Sequence, residues 1–539
     1  MKIRLIGLLS AAALFCQPVA AQEDNTQRLA KTLTDQYGAE VNVKIDGASC
    51  EIKYSEVIIE EEETEYVPSP TDPNEVTVQT KKITTTIPAT SPSCEQTDSF
   101  YGLPQYKITD TSPNRFLAQI YNLSTVNLAD GFAAQKFKEE MSVVPQLGIV
   151  SDDKLQIKDA VYTQKDKNTG LKTEIANLKD FIMEQKISKE DKVVKFKLDT
   201  QLDTLNVVLP FFSLQIPSQR HSSELEYQMT DDKDFDFTQM LQNLELLQSS
   251  KSAAAGKGIR VHTDFADAGL VFDFTTRGDA HISMPGYIDF IGDFKLQNIS
   301  FIGDYLEASK QPKSIELEYT VKNLDVKSAA RIAQLQQEVQ KDEPSMPDNK
   351  EMAALLDSLI DKAKIVHTIQ VNFAQANMRG TFEFERKNGY LFGTGTLEVN
   401  NLYNIFPEQQ QCFNNPQASS LPACSDDNFS ILSGFADYID ISKNSSTNVF
   451  TFNEKGIFKG NEKIGDPIEL NFEKMLQEEE EAEQKIDAEN EAFEQTQKQI
   501  EAKTEAEVET VTETEKEGET ETETETEIET ETETEIKTE

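Results

Sequence analysis

Five cysteines, Cys16, Cys50, Cys94, Cys412 and Cys424, offer the most distinctive chemistry in the chain. A thiol can pair with another thiol, hold a metal or attack a substrate, and spacing separates these cases. No CxxC or clustered His/Cys spacing suits zinc. No GxSxG, HExxH, SxxK or Cys/His dyad stands in a recognisable catalytic context. Disulfide pairing remains, and it requires a chain that matures where thiols oxidise.

The N-terminus bears on that requirement. Lys2 and Arg4 precede an apolar run from Leu5 to Phe15, about eleven residues, which is a signal-peptide length and too short for a membrane span. Val19-Ala20-Ala21 offers the small side chains that a signal peptidase reads, so cleavage after Ala21 is expected. A lipoprotein signal carries a small residue before its cysteine, whereas Phe15 precedes Cys16 here. Cys16 is therefore expected to leave with the leader (residues 1–21). No later segment is apolar enough to span a bilayer, so a soluble periplasmic protein is expected.

Four cysteines allow two disulfides in three connectivities, and one pairing has register behind it. CEIKYSEVIIEEEETEYV and EVTVQTKKITTTIPATSPSC are β-prone and flank the turn-forming PSPTDPN. Folded antiparallel about Asp72, Cys50 falls opposite Cys94, Val57 opposite Ile87, and Tyr66 opposite Val78. The same register sets Glu62 and Glu63 against Lys82 and Lys81, although Glu61 then meets Ile83. A clasped β-ribbon over 50–94 is expected, its bridge worth about 4 kcal/mol in chain entropy. Cys412 and Cys424 would close CFNNPQASSLPAC for about 3 kcal/mol.

The other candidates are weaker. His221, His262, His281 and His367 each sit singly on a strand-like segment, without ligand spacing. DDKDFDF (231–237) alternates like a calcium loop but has Phe237 where glycine is needed and Asn243 at the twelfth position; a helix N-cap fits better. GTGT (393–396) and GKG (256–258) read as turn or strand glycines. Asn122, Asn298, Asn428 and Asn444 begin N-x-S/T triplets, but the leader looks bacterial and glycosylation is not expected. No catalytic residue, metal or cofactor is expected.

These residues need elements to hold them. TQRLAKTLTDQYG reads as a helix with Leu29, Leu33 and Tyr37 on one face and Gly38 as its stop. KLQIKDAVYT, VVKFKLDT and SELEYQMT alternate like strands, with helical inserts expected at NLADGFAAQKFKEEM and FTQMLQNLELLQSS. KSAAAGKG reads as a flexible link, dividing a β-rich domain at 22–250 from another at 258–472. SIELEYTVKNL is a strand with Ile315, Leu317, Tyr319 and Val321 on one side. SAARIAQLQQEVQ and MAALLDSLIDKAK read as helices, and Asn388-Gly389 is a hairpin turn.

Residues 261–302 and 366–405 share VHT, RG and then one strand template. From Tyr287 and Tyr390 both carry Gly at the fifth position (Gly292, Gly395) and Asn at the eleventh (Asn298, Asn401). A duplicated strand unit is expected, stacking on its neighbours to bury its face. Residues 473–510 read as a charged helix, a candidate coiled coil through Ile486, Phe493 and Ile500. The Glu/Thr-rich tail, 511–539, has no apolar face to bury and is expected to be disordered. The fold class is therefore mainly β (α+β): an extended antiparallel sheet with a few helical inserts.

RGTFEFERKNGYLFGTGTLEVNNLYNIF resembles the strand repeats of AsmA-like and YdgA-like bacterial envelope proteins. The resemblance implies an extended, curved sheet with an apolar groove and, for the AsmA-like group, a part in lipid handling. The chain departs from that pattern in its cleavable leader and its Glu/Thr tail. Net charge is −43, which argues against nucleic acid or an anionic membrane surface as partner, since both need basic patches. The expected function is that of a non-enzymatic envelope scaffold or apolar-ligand binder, its partner a lipid or another envelope protein. Two alternatives are a hydrolase with a site built from scattered Asp, Glu and His, and an interaction module using the C-terminal helix and tail.

Overall fold

The computed structural model describes residues 25–38, 40–46, 49–68, 76–100, 102–124, 128–129, 131–165, 171–229, 246–263, 268–303, 310–341, 349–404 and 443–476. The chain divides into two units, Met1–Asn471 and Phe472–Glu539. Of the second, only a helical turn at 472–476 is described.

Helix α1 (Asn25–Tyr37) buries Leu29, Leu33 and Tyr37 as their spacing requires. Gly38 ends it at φ +60°, a left-handed conformation that costs glycine little. Strands β1 (Val41–Asp46) and β2 (Ser49–Tyr54) form a hairpin beneath it. The ribbon of β3 (Val57–Pro68) and β4 (Val76–Ile87) follows in the expected register: Val57 opposite Ile87, Glu62 opposite Lys82, Tyr66 opposite Val78. The same register runs through the Tyr54–Thr90 bridge to Ser49 opposite Glu95, where β2 meets β5 (Ser93–Phe100). Cys50 and Cys94 form the disulfide there, their Cα atoms 5.4 Å apart.

From β5 onward the sheet is a meander. It passes through β6 (Leu103–Asp110), β7 (Phe132–Val144), β8 (Ile149–Lys165), β9 (Lys172–Glu190), β10 (Val193–Leu209) and β11 (Phe212–Gln228). It continues with β12 (Leu247–Thr263), β13 (Ala268–Met284), β14 (Tyr287–Ile302), β15 (Pro312–Asp325), β16 (Lys364–Phe373), β17 (Asn377–Lys387) and β18 (Tyr390–Asn400). Strands β19 (Ser446–Asn453), β20 (Gly456–Lys459) and β21 (Glu462–Gly465) complete it. Each strand pairs antiparallel with the next, so nineteen strands form one sheet from which the β3–β4 ribbon branches.

Local breaks in alternation keep one face apolar along strands of up to nineteen residues. In β8 the apolar series steps from Ile157 to Ala160 across Asp159, and in β10 from Leu202 to Leu205 across Thr204. In β14 it steps from Leu296 to Ile299 across Asn298, and in β15 from Val321 to Leu324 across Asn323. Each skipped residue has positive φ, between +47° and +59°. At Asn298 and Asn323 the strand carries an extra residue against its partner, a β-bulge, whereas at Asp159 and Thr204 the paired strands change phase together. Asn and Asp supply three of the four because they tolerate the left-handed region best after glycine.

Several expectations need correction. NLADGFAAQKFKEEM does not form a helix; its body is β7, where Phe132, Ala134, Phe137, Glu139 and Met141 share a face set by pairing with β8. Its Ala, Lys and Glu favour helix, but cross-strand partners outweigh that preference. KSAAAGKG is not a link but the middle of β12, paired on both sides, so the sheet crosses the expected boundary between 250 and 258 unbroken. The end of FTQMLQNLELLQSS belongs to the same strand, and the rest of that insert lies outside the described residues. Helix α2 (Asn114–Ser124) was not foreshadowed by any expectation. The two expected helices between β15 and β16 form as α3 (Val326–Lys341) and α4 (Asn349–Ile360).

Candidate functional site: an uncovered apolar sheet face

Register traces the apolar face from strand to strand. Phe137, Ile157, Phe181 and Leu202 stand side by side across β7 to β10. The row continues through Gln219 and Gly256 to Phe274, Leu296 and Ile315, then to Val371, Met378 and Val399. Twelve strands at the usual ladder spacing of about 4.8 Å make a path of about 53 Å. The opposite face is charged, with ion pairs such as Lys197–Asp199, Lys195–Glu226 and Lys295–Glu316.

Coverage of the apolar face changes along the row. Phe137 and Ile157 are buried, whereas Phe294 and Ile369 are 36% and 39% exposed. Among the described residues, α3 and α4 pack on one another and on β15, and Asp357 of α4 pairs with Arg386 of β17, so the helices reach only part of this face. The face closes at the end where β9 turns into β10. There Ile187, Val194, Phe196, Tyr227 and Leu247 form a core with Phe100 and Leu103 from the β5–β6 hairpin and with Ile288 of β14. Early and middle strands meet across that core, so the sheet curls with its apolar side inward.

Aromatic rings shape the later strands. Tyr319 lies over Gly292 and Phe382 over Gly395, and a Cβ at either glycine would collide with the ring. Phe290 stacks on Tyr319 at 5.8 Å, and Phe384 meets Phe452 edge-on at 5.0 Å. The matched residues of the two expected copies share more than identity. Asn298 and Asn401 both have positive φ, and the residues after them, Ile299 and Leu402, are both buried. The shared VHT does not superpose in this way. His262 alternates to the charged face, whereas His367 stands on the apolar one between Tyr319 and Phe382. The two histidines cannot form a paired metal site.

The strongest electrostatic perturbations lie elsewhere, beneath α1 and α2. The Arg115 guanidinium is buried against Glu139 and 3.8 Å from Asp110. It lies 4.3 Å from the Tyr37 ring centroid and 5.6 Å from that of Tyr54. Burial pushes Asp153 up to about 8, with Glu139 adding to the rise and Arg115 opposing it. Burial likewise raises Tyr37, and raises Tyr54 to about 12. Perturbed groups of this kind mark active sites when a cleft reaches them. Here the adjoining cavity is about 10 Å³, room for one water molecule. The cluster ties α2 to the sheet and offers a substrate no entry.

A cavity of about 500 Å³ lies on the charged face over β9 to β13, bordered by Glu184, Asp199, Arg220, Ser222 and Arg277. Its acids are engaged by Lys154 and Lys197. Among the described residues, no hydrogen bond joins His221 to a serine or a carboxylate. His221 is held below the ordinary histidine value by burial. No group of three or more His, Cys, Asp or Glu among the described residues could hold a metal ion.

Of the residues singled out in the sequence, Cys50 and Cys94 are joined as expected. Ala21, Cys412, Cys424, the DDKDFDF segment, the helix expected beyond residue 476 and the tail lie outside the described residues. No described helix is long and apolar enough to cross a membrane. Comparison with protein-family models, with curated proteins and with solved structures returns no match.

Proposed function

We propose that the chain binds the acyl chains of lipids along its apolar sheet face and catalyses no reaction. One observation carries this reading: a row across twelve consecutive strands is apolar at ten positions, broken only by Gln219 and Gly256, and several of its neighbours on the middle and later strands are partly exposed. Monomeric proteins rarely expose contiguous apolar patches beyond a few hundred Å² unless something binds there. An acyl chain suits this long row, because no charged group lies along it and most charges stand on the other face. The proposed setting is the periplasm, supported by the leader and by the Cys50–Cys94 disulfide, which persists best in an oxidising compartment.

The test is an organic extract of the purified full chain, analysed by mass spectrometry, together with uptake of a fluorescent fatty acid. Bound lipid and saturable uptake are expected, both reduced by Phe294→Glu with Ile369→Glu on the open part of the face. A clean extract with no uptake would overturn the proposal.

A further inference from the structure

The hairpin of β10 and β11 differs from the rest of the sheet in having no charge near its tip. Residues 204–219, TLNVVLPFFSLQIPSQ, contain no Asp, Glu, Lys or Arg, although 27% of the chain is charged. The turn is only two residues long, Pro210 and Phe211, closed by the pair Leu209–Phe212. Val208 alternates to one face and Leu209 to the other, so the tip presents apolar groups in both directions. Val208, Leu209 and Phe211 are 56%, 43% and 59% exposed, and Leu171, just before the neighbouring β9, is 68% exposed. From this tip the apolar face runs back without interruption through Leu205 and Val207 in β10 and through Leu214 and Ile216 in β11.

We propose that this tip inserts into the interfacial region of a zwitterionic lipid bilayer, so that the apolar face opens against the membrane. A convex apolar knob on a narrow hairpin suits a fluid medium that closes around it. The missing charges remove the main cost of entry, because a charged side chain resists transfer out of water. Net charge of −43 repels anionic lipid, so the surface that fits is an uncharged one. The purpose of the docking rests on the acyl-chain reading; the docking itself is measured separately.

The chain contains no tryptophan, so a single introduced indole reports on its own position. Phe211→Trp probes the tip, and Met284→Trp probes an exposed turn at the opposite end of the strands. With phosphatidylcholine vesicles, blue-shifted emission and quenching by brominated acyl chains are expected at 211 and not at 284. Adding Val208→Ser and Leu209→Ser to the Phe211→Trp chain should weaken partitioning about tenfold or more. Because those positions are well exposed, the unfolding transition should be unchanged. No shift at 211, equal shifts at both positions, indifference to the serines, or binding that requires anionic lipid would each overturn the proposal. Uptake of soluble fluorescent fatty acid separates the two readings. A serine variant that keeps uptake and loses docking supports both, while a wild-type chain that docks without uptake refutes acyl binding alone.

Discussion

The N-terminal part of the sheet and its long middle use the same strands in different ways. Under α1 and α2, both helices and sheet contribute to a closed core in which Leu29, Leu33 and Val143 have no exposure, and charged Arg115 and Glu139 are buried together. From β9 to β18 the side chains are comparably apolar, but most remain partly accessible. Closed packing allows the first region to hold charges away from water, because each has a partner. The second region has sorted most of its charges to one face and, among the described residues, left much of the other partly exposed. Full burial is thus concentrated in the first region, and partial exposure of apolar side chains in the second.

That contrast can be broken most severely at Arg115. Arg115→Met would leave Glu139 and Asp110 without their cation, and a loss of about 3–5 kcal/mol in denaturant unfolding is expected. A loss below 1 kcal/mol would mean that the region is not closed. Cys50→Ser with Cys94→Ser should remove about 4 kcal/mol by releasing the loop between them; equal stability before and after reduction of the wild-type chain would count against the clasp.

A matched pair of truncations compares the regions directly. Leu33→Ala in the closed core should cost about 3 kcal/mol, and Leu202→Ala on the partly open face about 1 kcal/mol. Equal costs would show that something covers the face. The pH dependence sharpens the contrast further. Burial keeps Asp153 protonated up to about pH 8, whereas an unfolded chain releases that proton near pH 4. Between those limits the native state binds more protons, so stability falls as pH rises and the penalty is complete above about 8. Asp153→Asn should flatten that part of the melting-temperature profile, and an unchanged slope would assign it to other groups. Smallest of all, Phe294→Ser and Ile369→Ser should each change stability by less than about 1 kcal/mol, while reducing fatty-acid uptake.

Much of this was legible in local pattern. The 50–94 register could be found because cysteines, apolar pairs and charge pairs all had to agree about one turn, and few registers satisfy all three. Asn388-Gly389 and the α1 face were visible for the same reason: one short stretch carries the whole signal. The helix expected at NLADGFAAQKFKEEM and the link expected at KSAAAGKG failed where local preference was weak and neighbouring strands imposed their own conformation. The open face was only implied by resemblance. Its alternation changes phase at Asp159, Thr204, Asn298 and Asn323, so no single period follows it along the strands.

The sequence by itself determined a mainly β chain with a clasped ribbon, a capped first helix and the Asn388-Gly389 hairpin turn, because each depends on residues close in sequence or on composition. Only the tertiary structure decided that successive strands form one continuous meander, that local changes of phase restore a common apolar face, and that among the described residues this face is closed at one end and partly exposed along its middle. Those features arise from pairing and curvature between strands far apart in the chain, where side chains meet partners that local pattern does not specify.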